Sequence, residues 1–191
     1  MKEFKLILLL LILICTTFVC NEHLWKPFRN PDVTIPEAPA NELQSFLLEM
    51  AMVESTDRYQ VISPNGMLGR YQFYWPTAQY HLYAMGYKGI TPREFLANRA
   101  LQDTVMVRNM VHNNKLLKKY IAKYENTIVH GIKINRASIL AGAQFGPGAV
   151  VEFFNREGKY NITDSNGIHV KIFMQRFSKY NLPTNFGHGY E

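Results

Sequence analysis

Residues 41–56, Asn-Glu-Leu-Gln-Ser-Phe-Leu-Leu-Glu-Met-Ala-Met-Val-Glu-Ser-Thr, decide how this chain is read. Leu43, Phe46, Leu47, Met50, Ala51 and Val53 recur at helical spacing, and Asn41 stands where an N-cap belongs. The stripe predicts an amphipathic helix that runs out into a loop at Glu54-Ser55-Thr56. Glu54 lies four residues after Met50, on the core-facing side, among apolar neighbours. Taken alone it is a helix-terminal Glu, and most Glu side chains lie in water. On the apolar stripe, however, a carboxyl needs either a partner or a raised pKa.

The segments around this helix repeat the pattern. Residues 55–75 lack helical period and are rich in Gly, Ser, Asn and aromatics, which predicts an irregular loop or a small hairpin. Pro76 opens a helix to about Met85, stopped by Gly86. Thr91-Pro92-Arg93-Glu94 is a capping box. Asn98 caps a helix through Ile121, Asn135 caps one through Phe145, and Pro147 opens one through Phe154. A last helix covers about Val170 to Tyr180. The chain is therefore mostly α, with short helices and one small irregular or β-hairpin segment after the Glu54 helix. Its domain is expected over 41–182, with 183–191 as a flexible tail.

At 191 residues, 47% apolar and 13% aromatic, the chain has enough material for one packed core plus an N-terminal extra. Met1-Lys2-Glu3-Phe4-Lys5 precedes an apolar run from Leu6 to Ile14 that weakens toward Cys20. A positive start and a short apolar core read as an export signal, which implies a periplasmic or cell-envelope location. Retention as a membrane anchor and lipid attachment at Cys20 are the alternatives, although Val19 is bulky for a lipoprotein site. Residues 21–40 carry Pro27, Pro31, Pro36 and Pro39 and read as an extended tether. Both cysteines, Cys15 and Cys20, lie in the leader, which excludes disulfides, zinc–thiolate sites and Cys nucleophiles from the domain. The net charge of +6 becomes +5 without Lys2, Lys5 and Glu3, and it suits a polyanionic partner. No stretch reads as a nucleic-acid motif, and Lys115, Lys118 and Lys119 look like a solvated helix face.

Three segments carry the chemistry: Glu54-Ser55, then Gly66-Met67-Leu68-Gly69-Arg70-Tyr71-Gln72-Phe73 followed by Pro76-Thr77-Ala78, then Ala141-Gly142-Ala143-Gln144-Phe145-Gly146-Pro147-Gly148. In order and spacing they resemble the lysozyme-like soluble lytic transglycosylase family, which includes goose-type lysozyme relatives, across roughly residues 42–155. Ala143 stands where the family has a tyrosine, and Arg70-Tyr71 where Leu-Met is common, as in a divergent branch. The resemblance implies a lysozyme-like helical domain and a peptidoglycan lyase needing no cofactor or metal. Glu54 would act as acid and then base on the bond between N-acetylmuramic acid and N-acetylglucosamine, closing a 1,6-anhydro ring. It also implies glycan strands as substrate, and work on the wall alone or for a secretion or conjugation apparatus. The alternatives are a hydrolytic muramidase on the same fold and a catalytically silent wall-binding module, which Ala143 keeps open.

Around Glu54, the residues expected to bind substrate are Ser55, Tyr71, Gln72, Tyr74 and Gln144. An amide such as Gln72 or Gln144 bonds sugar N-acetyl and hydroxyl groups, and aromatic rings stack on sugar faces. Alternation puts Tyr71 with Phe73 on one side, and Tyr74 with Gln72 on the other. Tyr71 or Tyr74 is also the candidate to replace the missing family tyrosine. Phe73 and Trp75 are expected in the core. Asp57 reads as a turn residue; facing Glu54 it would favour a two-carboxylate hydrolase. Glu49 points elsewhere on the helix and is expected in solvent. The six histidines show no metal spacing and are expected on the surface or in loops. Asp164-Ser165-Asn166-Gly167 lacks the remaining ligands of a calcium loop.

Overall fold

The structure, a computed structural model, describes residues 40–159, 162–163 and 167–187. The leader, all of the tether but Ala40, both cysteines, Asp164–Asn166, His23 and His188 lie outside the described residues. Among those described, eight helices follow one another: α1 (Ala40–Ser55), α2 (Trp75–Ala84), α3 (Pro92–Ala97), α4 (Arg99–Leu116), α5 (Lys118–Tyr124), α6 (Arg136–Gly142), α7 (Pro147–Asn155) and α8 (Val170–Phe177). A hairpin of β1 (Ile128–Val129) and β2 (Ile132–Lys133) separates α5 from α6. The fold is mostly α, as the patterning predicts.

Local chemistry explains most of the boundaries. Thr91 and Glu94 form the expected reciprocal capping box on α3, Asn98 accepts from the Leu101 N–H, and Asn135 accepts from the Ser138 N–H. Pro76 and Pro147 sit in the first turns of α2 and α7. Helix α1 begins at Ala40, so Asn41 lies inside its first turn rather than at the cap.

Two elements differ from expectation. The helix expected from Asn98 through Ile121 breaks at Leu117, between α4 and α5. Leu117 and Ile121 are buried on either side of the turn while Leu116 is exposed. The hairpin was not expected at all. Its turn is His130-Gly131, with φ of 50° and 77°, joining the pairs Ile128–Lys133 and Val129–Ile132. Two left-handed residues in a two-residue loop match the twist of the strands.

One part of the core is built from Phe46, Met50, Ala51, Leu82, Phe95 and Val105, with Tyr71 and Phe73 from the loop after α1. Rings run edge to face from Tyr71 to Phe73 to Phe95, with the half-buried Trp75 tilted on Phe95. The other part joins Leu117, Ile121, Ile132, Ile139, Phe153 and Met174. Helix α6 is buried along its whole length and packs closely on α8. A Cβ on Gly142 would stand 2.8 Å from Met174 Cγ, so glycine there sets how near the two helices approach.

Glu49 is not in solvent. It accepts from Arg176 Nε at 2.7 Å, from Lys179 Nζ at 2.7 Å and from the Tyr180 hydroxyl, and its side chain is 14% exposed. Burial alone would raise its pKa, but the bonds from Lys179, Tyr180 and Arg176 outweigh that and hold it at about 2. Phe46 packs its ring, tilted, against Phe177 in the same seam, so α1 is fastened to the end of α8 by both charge and rings. Residues 183–187, expected in the tail, pack on the body: Phe186 is buried and Asn114 Nδ2 donates to its carbonyl at 2.9 Å.

Candidate active-site groove

Helix α1 ends in a tight, strained cap. Thr56 and Asp57 have φ of 57° and 61°, and their N–H groups return to the carbonyls of Met52 and Ala51 at 3.2 and 3.0 Å. Left-handed angles cost a β-branched residue free energy, and such strain concentrates at functional sites. The reversal leaves Glu54 half-buried at the helix end. Ser55 is buried. Its Oγ donates to the Arg70 carbonyl at 2.8 Å and accepts from the Arg58 N–H at 2.9 Å. The role shown for Ser55 is therefore to fasten the following loop to the helix.

That loop crosses itself through isolated antiparallel bridges, Ile62–Leu68 and Leu68–Phe73, in place of regular strands. Arg70 locks it down. Its Nε meets Asp57 Oδ1 at 2.6 Å and its Nη1 meets Asp103 Oδ1 at 2.8 Å, while Tyr59 and Tyr71 also donate to Asp103. Gln102, fully buried on α4, accepts the Arg70 N–H at 2.8 Å and donates to the carbonyls of Tyr59, Phe95 and Leu96. Gly69 has a φ of 71°, and a Cβ there would fall 2.1 Å from Gln102 Oε1.

The three sequence segments meet around one groove of about 830 Å³. Glu54, Ser55 and Arg58 line it together with the apolar Val61, Ile62 and Met67 and with Gln72, Gln144 and Phe145 from the other two segments. Gln144 Nε2 donates to the Tyr71 carbonyl at 2.8 Å, tying the third segment to the second. Gln72, with a φ of 49°, donates to the Gly69 carbonyl at 2.8 Å. Among the described lining residues Glu54 is the one carboxylate.

A second groove of about 760 Å³ shares Met67, Gln72, Gln144 and Phe145 with the first and continues between α2 and α4. Tyr74, 61% exposed, and Tyr80 open onto it, with His112, Asn109 and Asn113. His81 also lines it, although its residue is buried rather than on the surface. Burial pushes its pKa down, against the hydrogen bond with Asn109.

Of the expected site residues, Glu54, Ser55, Gln72 and Gln144 converge. Tyr71 lines neither groove. It is completely buried, its hydroxyl is held between Arg70 and Asp103, and burial together with the Asp103 charge pushes the phenol pKa far up. The alternation was read correctly, but the Tyr71 side faces the core. Tyr74 lines the second groove, so neither tyrosine stands in the groove that holds Glu54. Ala143 is buried and lines only the second groove. Asp57 is committed to Arg70 and does not line the Glu54 groove.

Sequence reasoning missed Arg58, Gln102 and Asp103. The one available signal was the spacing of Arg58, four residues after Glu54. Its Nε donates to the Ser55 carbonyl at 2.9 Å and satisfies the end of α1. Among the described residues no cluster of three or more His, Cys, Asp or Glu could hold a metal ion, and no single helix is long and apolar enough to cross a membrane. No protein-family model, curated protein or solved structure matches this chain.

Proposed function

We propose that the chain is a peptidoglycan lytic transglycosylase acting through Glu54. The observation that carries this reading is the meeting of Glu54, Gln72 and Gln144, from three distant segments, around a single groove with an apolar wall. A half-buried carboxyl against such a wall is suited to delivering a proton. Glu54 protonates the glycosidic oxygen and the C1–O4 bond breaks. The muramic-acid C6 hydroxyl then attacks C1 and gives its proton to the Glu54 carboxylate, closing the 1,6-anhydro ring without adding water. Gln72 and Gln144 offer amides to the sugar N-acetyl and hydroxyl groups. The commitment of Asp57 to Arg70 favours this one-carboxylate route over a lysozyme-type hydrolysis.

The test is mass spectrometry of muropeptides released from purified peptidoglycan by the full chain. Anhydro-muramic ends are expected, and reducing ends would assign a hydrolase. Glu54→Gln should lower release by about 10²–10⁴-fold. Equal, nonzero release by chain and variant would remove Glu54 from the chemistry. Wall binding without cleavage by both would identify a binding module.

A further inference from the structure

Arg136, at the start of α6, lies outside both grooves. The residue is 8% exposed, yet its guanidinium is incompletely satisfied. Nη1 donates to Asn114 Oδ1 at 3.0 Å, Nη2 reaches Glu125 Oε2 at a long 3.4 Å, and Nε has no hydrogen-bond partner. Buried guanidinium donors are ordinarily paired, and this guanidinium, short of acceptors, borders a cavity. The cavity is a cleft of about 830 Å³ between α4, α5 and the last described residues. Lys118 stands exposed at its edge, so Arg136 and Lys118 face the carboxylate of Glu125 among the described lining residues. Ile121 and Phe186 give the same cleft an apolar wall.

We infer that this cleft binds the C-terminal carboxylate of a short peptide. The cations call for an oxyanion, and Arg offers a carboxylate paired donors. The volume exceeds what a bare ion fills, and the apolar wall suits small aliphatic side chains behind the charged end. Glu125, held only loosely, is the group that an incoming carboxylate relieves of Arg136. Asn114 joins the site to residues 183–187, since its Oδ1 accepts from Arg136 and its Nδ2 donates to the Phe186 carbonyl. The inference stands apart from the Glu54 reading, because neither Arg136 nor Lys118 lines either groove described above.

The experiment is calorimetric titration of the full chain at low salt with three probes: acetyl-Ala-Ala-Ala with a free C-terminus, the same peptide amidated, and inorganic phosphate. The free acid should bind saturably, weaken as NaCl is added, and bind at least tenfold more tightly than the amide. Arg136 is buried and its replacement endangers folding, so the exposed Lys118→Glu carries the test. That variant should weaken the free acid roughly tenfold, the scale of reversing one rim charge. Equal binding of acid and amide, binding of neither, or indifference to Lys118→Glu overturns the proposal. Phosphate binding as tightly as the peptide also overturns it, leaving a simple ion site.

Discussion

Gly69 is the residue at which the site is least tolerant. Gly69→Ala must hold a positive φ and push Gln102 off the Arg70 N–H, so it should cost at least about 2 kcal/mol, read by urea denaturation. A smaller loss would mean that Gln102 swings aside freely. Asp57→Asn separates the two carboxylate readings. With Asp57 serving Arg70 rather than the sugar, wall-cleaving activity should fall less than tenfold while stability drops by about 1–2 kcal/mol. A loss of activity matching Glu54→Gln would make Asp57 a second catalytic carboxylate. Glu54 was legible because an acidic residue broke an apolar stripe, and Gln72 and Gln144 because they sit in recognisable segments. Tyr71 was misread for a physical reason: alternation tells which residues share a side, but not which side faces the core. Gln102 and Asp103 were illegible because their partners, Arg70 and Tyr71, lie more than thirty residues away and local patterning does not reach so far.

At the scale of elements, helix starts were the readable part. Capping residues act within three positions, so Thr91, Asn98 and Asn135 announced α3, α4 and α6. The break at Leu117 carries no proline or glycine, so nothing local in the sequence marks it. The β1–β2 turn uses His-Gly, which lacks the usual Asn-Gly or Asp-Gly signal. Helix α4 has a role beyond packing, since through Gln102 it holds the loop between α1 and α2 in place. Gln102→Leu keeps the bulk but abandons the Arg70 N–H and three carbonyls. It should cost about 2–4 kcal/mol and raise hydrogen exchange of the amides in 61–72. Protection there equal to the parent chain would assign the loop's order to Arg70 and its two aspartates alone.

For the whole molecule, the seam between α1 and α8 contributes to stability in acid. The pKa of Glu49 falls from an ordinary 4.5 to about 2 in the folded chain, so its ionised form favours folding. That contribution is fully present above pH 4.5 and is lost as the pH drops toward 2. Unfolding free energy measured across this window should decline less steeply for Glu49→Gln than for the parent chain, and identical slopes would place the acid sensitivity elsewhere. The same seam has a consequence in time. Glu49 waits for Arg176 and Tyr180, 127 and 131 residues later in the chain. A ribosome delivers α1 well over a hundred residues before its anchor. Until α8 arrives, the helix bearing Glu54 has an unfilled side, and a chain cut short before α8 would leave Glu49 without its partners.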